Sequence, residues 1–346
     1  MCNVGLSGNH SGHRPGSVAT CFSNYSIAVV FINSTIIHSS TAETITASTA
    51  NTSLTHCQAT FELISVQTSD DNPAYFYPIA GDFNGDNQLD IAYYSPVFDS
   101  IGVVLGIGNG SFEAFVKLIP LYGASIIEMT VGNFNEDNYL DVVTIVNEYN
   151  SYLLILVGQG DGTFEASTPF PQRMLYYTRD VVVSDLNDDN QPDIVVWLSA
   201  GFSISARSVV VNEFNNDNHS DIAILDEYSR NIIVFLGRGD STFEERIVSF
   251  TGGALVPVYI TVGDFNGDGH SDIIFYKYDP SSIDILLGNG RGRFERKTIL
   301  QIEIPYDIAR LIAGDFNGDG YQDIINLVAY SPPFNVLLNT CQCCTT

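Results

Sequence analysis

Short runs of apolar and β-branched residues, rather than a helical repeat, carry the hydrophobic pattern of this chain. They come in pairs that flank an acidic segment, as Val258–Val262 and Ile273–Tyr276 do. Such short runs, rich in Val, Ile, Tyr and Phe, are typical of β-strands. A third run follows and ends in Leu-Gly-x-Gly, as at Leu105–Gly108, and a tight turn then leads to Phe-Glu and a fourth run. The pattern therefore predicts units of four antiparallel strands.

One nine-residue acidic segment recurs six times between the paired runs. Its second residue, Phe83 in the first copy, returns at steps of 51, 52, 28, 51 and 51 residues. A period near fifty, with strands and no helical periodicity, is typical of propeller blades. The predicted fold is all-β, a β-propeller of about six four-stranded blades. The segments are 82–90, 133–141, 185–193, 213–221, 264–272 and 315–323.

The third unit and the two chain ends depart from the regular repeat. After Ile194–Leu198 the chain goes almost directly to Ser208–Val211, the first strand of the next unit, so the third blade is expected to be truncated and to lack its third and fourth strands. The last unit stops after Phe334–Leu338, and Phe61–Val66 can supply its missing strand. Pairing of these N- and C-terminal strands would close the ring and remove open sheet edges.

Three regions are predicted along the chain: a flexible N-terminal segment at 1–56, the propeller at 57–341 and a Cys-rich tail at 342–346. Between Ser39 and Thr55 nearly every other residue is Ser or Thr, which is typical of a flexible and O-glycosylated stalk. Asn-x-Ser/Thr sequons favour an extracellular or cell-surface location. The sequons begin at Asn9, Asn24, Asn33, Asn51, Asn109 and Asn218.

Oxygen-bearing side chains occupy positions 1, 3, 5 and 9 of the acidic segments. Calcium is a hard cation that takes about six to eight oxygen ligands, often with one main-chain carbonyl, here expected at position 7. Position 6 is Asn or Gly in every copy, the two residue types that tolerate the left-handed backbone of a sharp turn. The predicted structural calcium ligands are Asp82, Asn84, Asp86, Asp90, Asn133, Asn135, Asp137, Asp141, Asp185, Asn187, Asp189, Asp193, Glu213, Asn215, Asp217, Asp221, Asp264, Asn266, Asp268, Asp272, Asp315, Asn317, Asp319 and Asp323.

The copies differ in charge and in side-chain length. Segments 264–272 and 315–323 carry a complete ligand set, whereas Asn133 removes one charge from position 1 and Glu213 is longer there by one methylene. An EF-hand is excluded because strands flank each segment and its twelfth position, such as Tyr93, is not Glu. The alternative is that the segments are Asx-rich turns that bind no metal.

The acidic segments account for much of the charge of the chain. There are 14 basic and 40 acidic residues, a formal net charge of −26. Positions 1, 5 and 9 contribute 17 of the carboxylates, and six bound Ca²⁺ would bring −26 to −14. So acidic a surface repels nucleic acid and anionic membranes, and no nucleic-acid partner is expected.

The string Gly-Asp-Phe-Asn-Gly-Asp-Gly-x-x-Asp-Ile occurs at 263–273 and 314–324, and Leu-Gly-x-Gly-x-Gly-x-Phe at 287–294. These strings resemble the FG-GAP/VCBS repeat family, whose members include the integrin α-subunit propeller and propeller lectins. The resemblance covers residues 59–339. It implies a propeller with calcium loops between the first and second strands of each blade, and it assigns the same ligands, with Asn133 and Glu213 as departures.

The cysteines lie only near the chain ends, at Cys2, Cys21, Cys57, Cys341, Cys343 and Cys344. Cys57 precedes the N-terminal strand, and Cys341 follows the strand proposed to pair with it. A disulfide from Cys57 to Cys341, Cys343 or Cys344 is therefore expected, and would stabilise the fold by roughly 4–5 kcal/mol in the chain-entropy model. The tail lacks the paired spacing of a zinc site. Neither a run of eighteen apolar residues nor an ordinary signal peptide is visible.

No catalytic motif stands out, and no catalytic or cofactor-binding residue is predicted. A Ser-His-Asp triad is hard to assemble, because His219 and His270 are the only histidines after residue 56. The acids outside the repeated segments are interpreted as solvated faces, and seven tyrosines as either core residues or a sugar-stacking surface. The prediction is a non-enzymatic extracellular calcium-binding module for adhesion to, or recognition of, glycans or proteins, with a carbohydrate-active enzyme as the alternative. These acids are Glu128, Asp226, Asp279 and Asp307, and these tyrosines are Tyr75, Tyr77, Tyr122, Tyr176, Tyr177, Tyr259 and Tyr306.

Overall fold

A computed structural model describes residues 28–33, 61–66, 76–96, 98–113, 117–121, 125–147, 151–166, 177–199, 206–226, 229–244, 247–250, 257–278, 281–301, 308–328 and 334–340. Within these ranges every regular element is a β-strand, which confirms the predicted all-β class. None of the described residues belongs to a helix long and apolar enough to span a membrane.

The first two strands, β1 (Ala28–Asn33) and β2 (Phe61–Val66), join sheets that are otherwise built from much later residues. Four further sheets are each made of four consecutive antiparallel strands. They are β3–β6 (Phe76–Gly81, Asp90–Ser95, Ser100–Val104, Lys117–Pro120), β7–β10 (Ser125–Gly132, Asp141–Asn147, Tyr152–Gly158, Phe164–Ala166), β13–β16 (Ala206–Asn212, Asp221–Asp226, Asn231–Phe235, Ile247–Phe250) and β17–β20 (Pro257–Gly263, Asp272–Tyr278, Ser281–Gly288, Phe294–Gln301).

The last part of the chain forms a fifth four-stranded sheet with β2. Its strands are β21 (Ile308–Gly314), β22 (Asp323–Val328) and β23 (Phe334–Asn339). β2 pairs antiparallel with β23, with Phe61 opposite Asn339 and Val66 opposite Phe334. The strand proposed from the sequence for this place, Phe61–Val66, is therefore the one that occupies it.

The remaining sheet has three strands. The chain supplies β11 (Tyr177–Ser184) and β12 (Asp193–Ser199) at this place, and β1 pairs with the other side of β12 in parallel orientation. This pairing puts β1 beside β12, at the place of the third strand that the sequence predicts to be missing. Within the N-terminal segment 1–56, β1 is the part that the structure describes.

The first strands of the six sheets pack against one another in the order β3, β7, β11, β13, β17, β21, and β21 also contacts β3. Apolar side chains fill the space between neighbouring sheets. The aromatic residue at position 2 of an acidic segment packs against the next sheet, as Phe83 does edge-on against Phe164 with 5.4 Å between ring centroids. Phe214 meets Phe294 in the same way, at 5.6 Å. The described residues thus form a β-propeller, held by apolar contacts between radial sheets.

The fourth strands begin less uniformly than the Phe-Glu pattern predicts. Phe164 and Phe294 are the first residues of β10 and β20. Phe112 and Phe243 instead form isolated bridges with Gly106 and Gly237, ahead of β6 and β16.

Candidate metal loops at one edge of the sheets

The side chain at position 1 closes each loop by accepting backbone N–H groups. In the first loop Asp82 Oδ1 accepts from Gly85 at 2.7 Å and from Asp86 at 3.1 Å, and Oδ2 accepts from Asn87 at 2.8 Å. Asp264 and Asp315 make the same three bonds in their loops. The position-1 carboxylate therefore organises the turn through its own backbone.

Positions 3 and 5 are linked to each other in a second repeated pattern. Asn84 Oδ1 accepts the N–H of Asp86 at 3.0 Å, and Asn84 Nδ2 donates to Asp86 Oδ2 at 2.9 Å. The other carboxylate oxygen, Asp86 Oδ1, accepts the N–H of Gln88 at 2.8 Å. The predicted ligand side chains of positions 1, 3 and 5 thus meet within a single turn of the backbone.

The backbone confirms the left-handed turn predicted at position 6. The φ angles are 64°, 69°, 62°, 65°, 81° and 89° at Asn87, Asn138, Asn190, Asn218, Gly269 and Gly320. Position 4 has positive φ as well, which the sequence reasoning missed. Three copies place Gly there, but the others place side-chain-bearing residues: Glu136, Asp188 and Asn216, with φ of 62°, 58° and 64°.

The aspartate at position 9 is buried and ties three chain segments together. Asp90 Oδ2 accepts the N–H of Phe83 at 2.9 Å, and Oδ1 accepts that of Gly106 at 2.9 Å. Position 9 in four other loops makes the same pair of bonds, with Asn339 taking the place of the glycine in the last. Within the described ranges, Asp193 receives only the first of them, from Leu186. The third blade has no Leu-Gly-x-Gly turn to supply the second.

Burial raises the pKa of these position-9 carboxyls, and their backbone N–H donors oppose that rise. The pKa reaches about 7 at Asp272 and about 6 at Asp90, Asp193, Asp221 and Asp323, and it is raised at Asp141. A buried carboxylate without a nearby cation is costly to ionise, so a divalent ion beside it would lower the pKa again.

The two departures at position 1 behave differently. Glu213 takes over the role of the shorter aspartate, because its carboxylate accepts the N–H groups of Asn215, Asn216 and Asn218. Asn133 Oδ1 accepts the N–H of Glu136 at 2.9 Å, but its second terminal atom is an amide nitrogen and cannot accept. The loop at 133–141 is therefore the less complete of the two.

Five of the six loops are also held by the following sheet, through the main-chain carbonyl at position 2. Gly162 donates to Phe83 O, Gly292 to Phe214 O and Gly110 to Phe316 O, over 2.7 to 2.9 Å. Ser241 donates to Leu186 O, and the side chain of Asn339 to Phe265 O. No described residue donates to the corresponding carbonyl, that of Phe134. The next sheet is the truncated one, which lacks the glycine turn.

Position 7 connects neighbouring loops through their side chains. His219 Nδ1 lies 2.7 Å from Asp188 Oδ2, and His270 Nδ1 lies 3.2 Å from Asn216 Nδ2. In both cases position 7 of one loop reaches position 4 of the preceding loop. These two contacts link the loops at 185–193, 213–221 and 264–272.

The donor set of these loops suits a hard divalent cation, because all of its atoms are carboxylate, amide or carbonyl oxygens. An oxygen that accepts one N–H retains a second lone pair for a metal. In the described conformation those oxygens face backbone N–H groups, and no set of three or more His, Cys, Asp or Glu side chains in the described residues is gathered around one point. The residues fit calcium in chemistry, and binding would require the side chains at positions 1, 3 and 5 to turn toward a shared centre.

A second polar cluster lies on the inner strands, away from the loops. Arg310 Nη1 bonds to Glu128 Oε2, and Arg310 Nη2 lies 3.7 Å from Asp180 Oδ1. Each acid also accepts a backbone N–H, from Met129 and from Val181. Burial raises the pKa of Glu128 to about 8 and raises that of Asp180, while the guanidinium acts against both.

The interpretation of Glu128 and Asp226 as solvated acids is wrong, since their side chains are 3% and 4% exposed. Glu128 is paired with Arg310, which is 182 residues away in the chain. A contact over that separation cannot be predicted from the sequence around Glu128. Asp226 closes a hairpin turn by accepting the N–H of Ser229 at 3.3 Å. Asp279 and Asp307 lie outside the described residues.

Two of the seven candidate tyrosines border the buried cluster. Arg310 lies over the ring of Tyr259, 5.9 Å from its centroid, and burial raises the pKa of Tyr77 to about 12. Both are partly buried and pack against apolar clusters, which favours the core interpretation for them. Tyr75, Tyr122, Tyr176 and Tyr306 lie outside the described residues, as do Cys57 and Cys341, and the side chain of Tyr177 is not described.

Comparison with known families agrees with this geometry. A model of the FG-GAP-like repeat matches residues 133–196, 214–275 and 264–325, which together cover half of the chain. The chain belongs to the FG-GAP-like repeat family. The matched ranges include four of the six acidic loops whole and a fifth without its first residue, Glu213. The resemblance read from the repeated segments is confirmed. No curated protein matches this FG-GAP-repeat chain.

Several solved structures resemble the FG-GAP-repeat chain. A lectin of Agrocybe aegerita, described by its recognition of non-reducing terminal N-acetylglucosamine, is 14% identical, with 83% of this chain and 90% of that chain covered and a TM-score of 0.48. The TcdB2-TccC3-Cdc42 structure is 15% identical, with 80% and 15% covered and a TM-score of 0.50. TcdB2-TccC3 without its hypervariable C-terminal region is 16% identical, with 80% and 14% covered and a TM-score of 0.47. The chain thus spans about a seventh of the two larger chains, and the likeness to the first of these two shows the fold alone.

Proposed function

We propose that this chain is a non-enzymatic, calcium-binding propeller that acts outside the cell as a recognition or adhesion module for a glycan or a protein. The observation that carries the proposal is the row of acidic loops along one edge of the sheets, tied to the neighbouring blades through the position-2 carbonyls. A rigid scaffold that presents repeated loops on one face suits recognition.

The scaffold is inferred to be a closed ring of six blades, one of them shortened. Two observations support this. The first strands contact one another in a cyclic order that returns from β21 to β3. The N-terminal strand β2 completes the sheet of the C-terminal strands. A ring leaves fewer unpaired edges than an open array of sheets, which favours closure.

Calcium is assigned a structural role at positions 1, 3, 5 and 9. It would neutralise carboxylates that otherwise repel one another, and it would fix the loops that face the ligand. The loops at 264–272 and 315–323 have the full donor set, so they are expected to bind most tightly. A cation enclosed by protein oxygens is a poor Lewis acid compared with an open catalytic metal.

The alternative, a carbohydrate-active enzyme, draws on one observation, the pair of inner acids Glu128 and Asp180 with raised pKa values. Perturbed carboxyls of this kind occur in glycosidases, which need one protonated and one ionised acid on either side of a sugar. Here the two side chains are 3% and 2% exposed and share Arg310. Their contacts account for a structural ion cluster, so the non-enzymatic role is favoured.

A glycan array probed with the purified chain in calcium, and again after chelation, tests the proposal. Binding to at least one glycan class is expected in calcium and is expected to weaken sharply in chelator. If no glycan binds, a cell-surface protein array under the same two conditions tests the protein branch. Turnover of a polysaccharide that Glu128→Gln abolishes, with the fold intact, would establish the enzyme instead.

A further inference from the structure

The sheet of β11 and β12 is completed by a strand from a distant part of the chain. β1 pairs with β12 over six residues, from Ala28 opposite Asp193 to Asn33 opposite Leu198. The pair is parallel, whereas the pairs of the other sheets are antiparallel. In the third blade, one edge of β12 is therefore free of a strand from the same repeat, and β1 pairs with that edge.

The connection between β1 and the rest of the propeller must cover a long distance. β1 ends at Asn33, at the end of β12 remote from the acidic loop, while β2 begins at Phe61, beside the loop aspartate Asp323 through Asn339. β11 and β21, the inner strands of these two sheets, are three places apart in either direction around the cyclic order of contacts. In the six-bladed ring proposed above, on which this inference rests, β1 and β2 thus lie on opposite sides and at opposite ends of their sheets.

Standard sheet dimensions turn this arrangement into a length. With neighbouring sheets about 10 Å apart and strands about 4.8 Å apart, the straight line from Asn33 to Phe61 through the ring is about 45–50 Å. Residues 34–60, twenty-seven in all, reach about 95 Å when fully extended. A flexible chain of that length has an end-to-end distance of about 30 Å. Placement of β1 on its own β12 is thus feasible, but the span exceeds the mean reach of a flexible chain of that length, which lowers the effective concentration of β1 at this edge.

We propose that β1 is exchanged between two copies of this chain, so that the β1 of each copy pairs with the β12 of the other. The exchange forms the same strand pair, and the connection no longer has to cross the width of its own ring. It is reciprocal, which gives a closed two-fold dimer, and no acceptor edge stays open. The chain is thus a dimer in which two propeller faces, and two rows of acidic loops, are joined by swapped strands.

Shortening the connection tests the proposal directly. Deletion of Ser39–Thr55 leaves ten residues between β1 and β2, which reach about 40 Å at most, less than the span that a single copy requires. If strands are exchanged, the shortened chain is a stable dimer by light scattering coupled to size exclusion, at concentrations where the intact chain is in equilibrium with monomer. The matched control replaces Ser39–Thr55 with seventeen Gly and Ser residues, and should behave like the intact chain.

A second pair of changes separates strand exchange from other modes of association. The N–H groups of a strand point alternately to its two sides, so one of two consecutive prolines must remove a bond to β12. Val29→Pro with Val30→Pro should convert the shortened dimer to monomer. A shortened chain that is monomeric without the prolines overturns the proposal. If the shortened chain does not fold, native mass spectrometry of the intact chain decides: a dimer that the two prolines abolish supports exchange, and a monomer at every concentration refutes it. Glycan binding is read separately, so failure of one proposal leaves the other standing.

Discussion

The acidic loops at 133–141 and 264–272 share one sequence pattern but not one structure. In the second, Asp264 accepts three backbone N–H groups, and the carbonyl of Phe265 accepts the side-chain amide of Asn339 from the next sheet. In the first, Asn133 accepts one N–H, and no described residue donates to the carbonyl of Phe134. Loop 264–272 thus has hydrogen bonds both within the turn and from the next sheet. Loop 133–141 has fewer within the turn and none from a described residue of the next sheet.

The two losses occur at the same junction. The sheet that follows Phe134 is the truncated one, which has no Leu-Gly-x-Gly turn. The loop that lacks a carboxylate at position 1, because of Asn133, is thus also the loop that receives no described hydrogen bond from the neighbouring sheet. The repeated sequence specifies the local turn, whereas the hydrogen bonds that hold each loop from outside depend on the neighbouring blade. The differences between copies can be tested one at a time.

The largest expected difference is in calcium-dependent stability. Asp268→Ala and Asp137→Ala remove matched side chains at position 5, since each accepts the N–H of position 7 and the amide of position 3. In excess calcium Asp268→Ala should cost about 3 kcal/mol more than it does in chelator, the stabilisation that a ligand at one hundred times its Kd provides. Asp137→Ala should show a much smaller gap. Thermal melts of both variants and of the parent chain, with and without calcium, measure it.

The comparison also has a clear failing outcome. Equal costs for the two variants with and without calcium, together with a parent melting curve that chelation does not move, would mean that the loops are turns stabilised by Asx hydrogen bonds alone. Asn133→Asp offers the reverse experiment, because it restores the second acceptor at position 1. It should widen the gap between the calcium and chelator melts.

The next difference lies in the inner strands that lead into the two loops. At equivalent places, one position after a bulge, β7 carries Glu128 and β17 carries Tyr259. Glu128 has an ordinary pKa near 4.5 and a folded pKa of about 8. Between these values the folded protein binds the proton more often than the unfolded chain, so this carboxyl contributes stability below about pH 4.5 that is lost as the pH rises toward 8.

Glu128→Gln keeps the shape of the protonated acid and removes its titration. In chelator, the parent should lose up to about 3 kcal/mol more stability than the variant between pH 5 and pH 8, judged by urea unfolding at each pH. The position-9 aspartates titrate with the same sign in both proteins, so they cancel in the difference. Parallel pH profiles would show that the pairing with Arg310 keeps Glu128 ionised throughout.

Much of the fold follows from local chemistry. The strand pairs around each acidic segment, the left-handed turn at position 6 and the family itself can be read from residues such as Asn87 and Gly269, because turn geometry depends on the residue at the turn. Positive φ at position 4 was open to the same reasoning, since Gly85, Gly267 and Gly318 stand there. The signal was hidden by Glu136, Asp188 and Asn216 in the other copies.

Contacts between residues far apart in the chain could not be predicted from the repeated sequence pattern. Nothing in the sequence near Ala28–Asn33 indicates that this run pairs with β12, because the partner is more than 150 residues away. The pairing of Glu128 with Arg310 has the same character. The structural role of the position-9 aspartates is hidden for a different reason. Calcium ligation alone accounts for an aspartate at Asp90, and its bonds to Phe83 and Gly106 form only in the folded chain.

The smallest expected effect concerns position 4, where loop 133–141 has Glu136 and loop 264–272 has Gly267. Left-handed backbone destabilises a residue with a β-carbon by about 1–2 kcal/mol, and glycine removes this strain. Part of that stabilisation is cancelled, because glycine also increases the conformational entropy of the unfolded chain. Glu136→Gly should therefore raise stability by up to about 1 kcal/mol in chelator, measured by urea unfolding. Glu136→Ala is the control, because it removes the carboxylate next to Asp137 and keeps the β-carbon. If the alanine variant gains as much as the glycine variant, charge repulsion rather than backbone strain weakens this loop. A larger gain for glycine would show that backbone conformation contributes to the difference between the two loops.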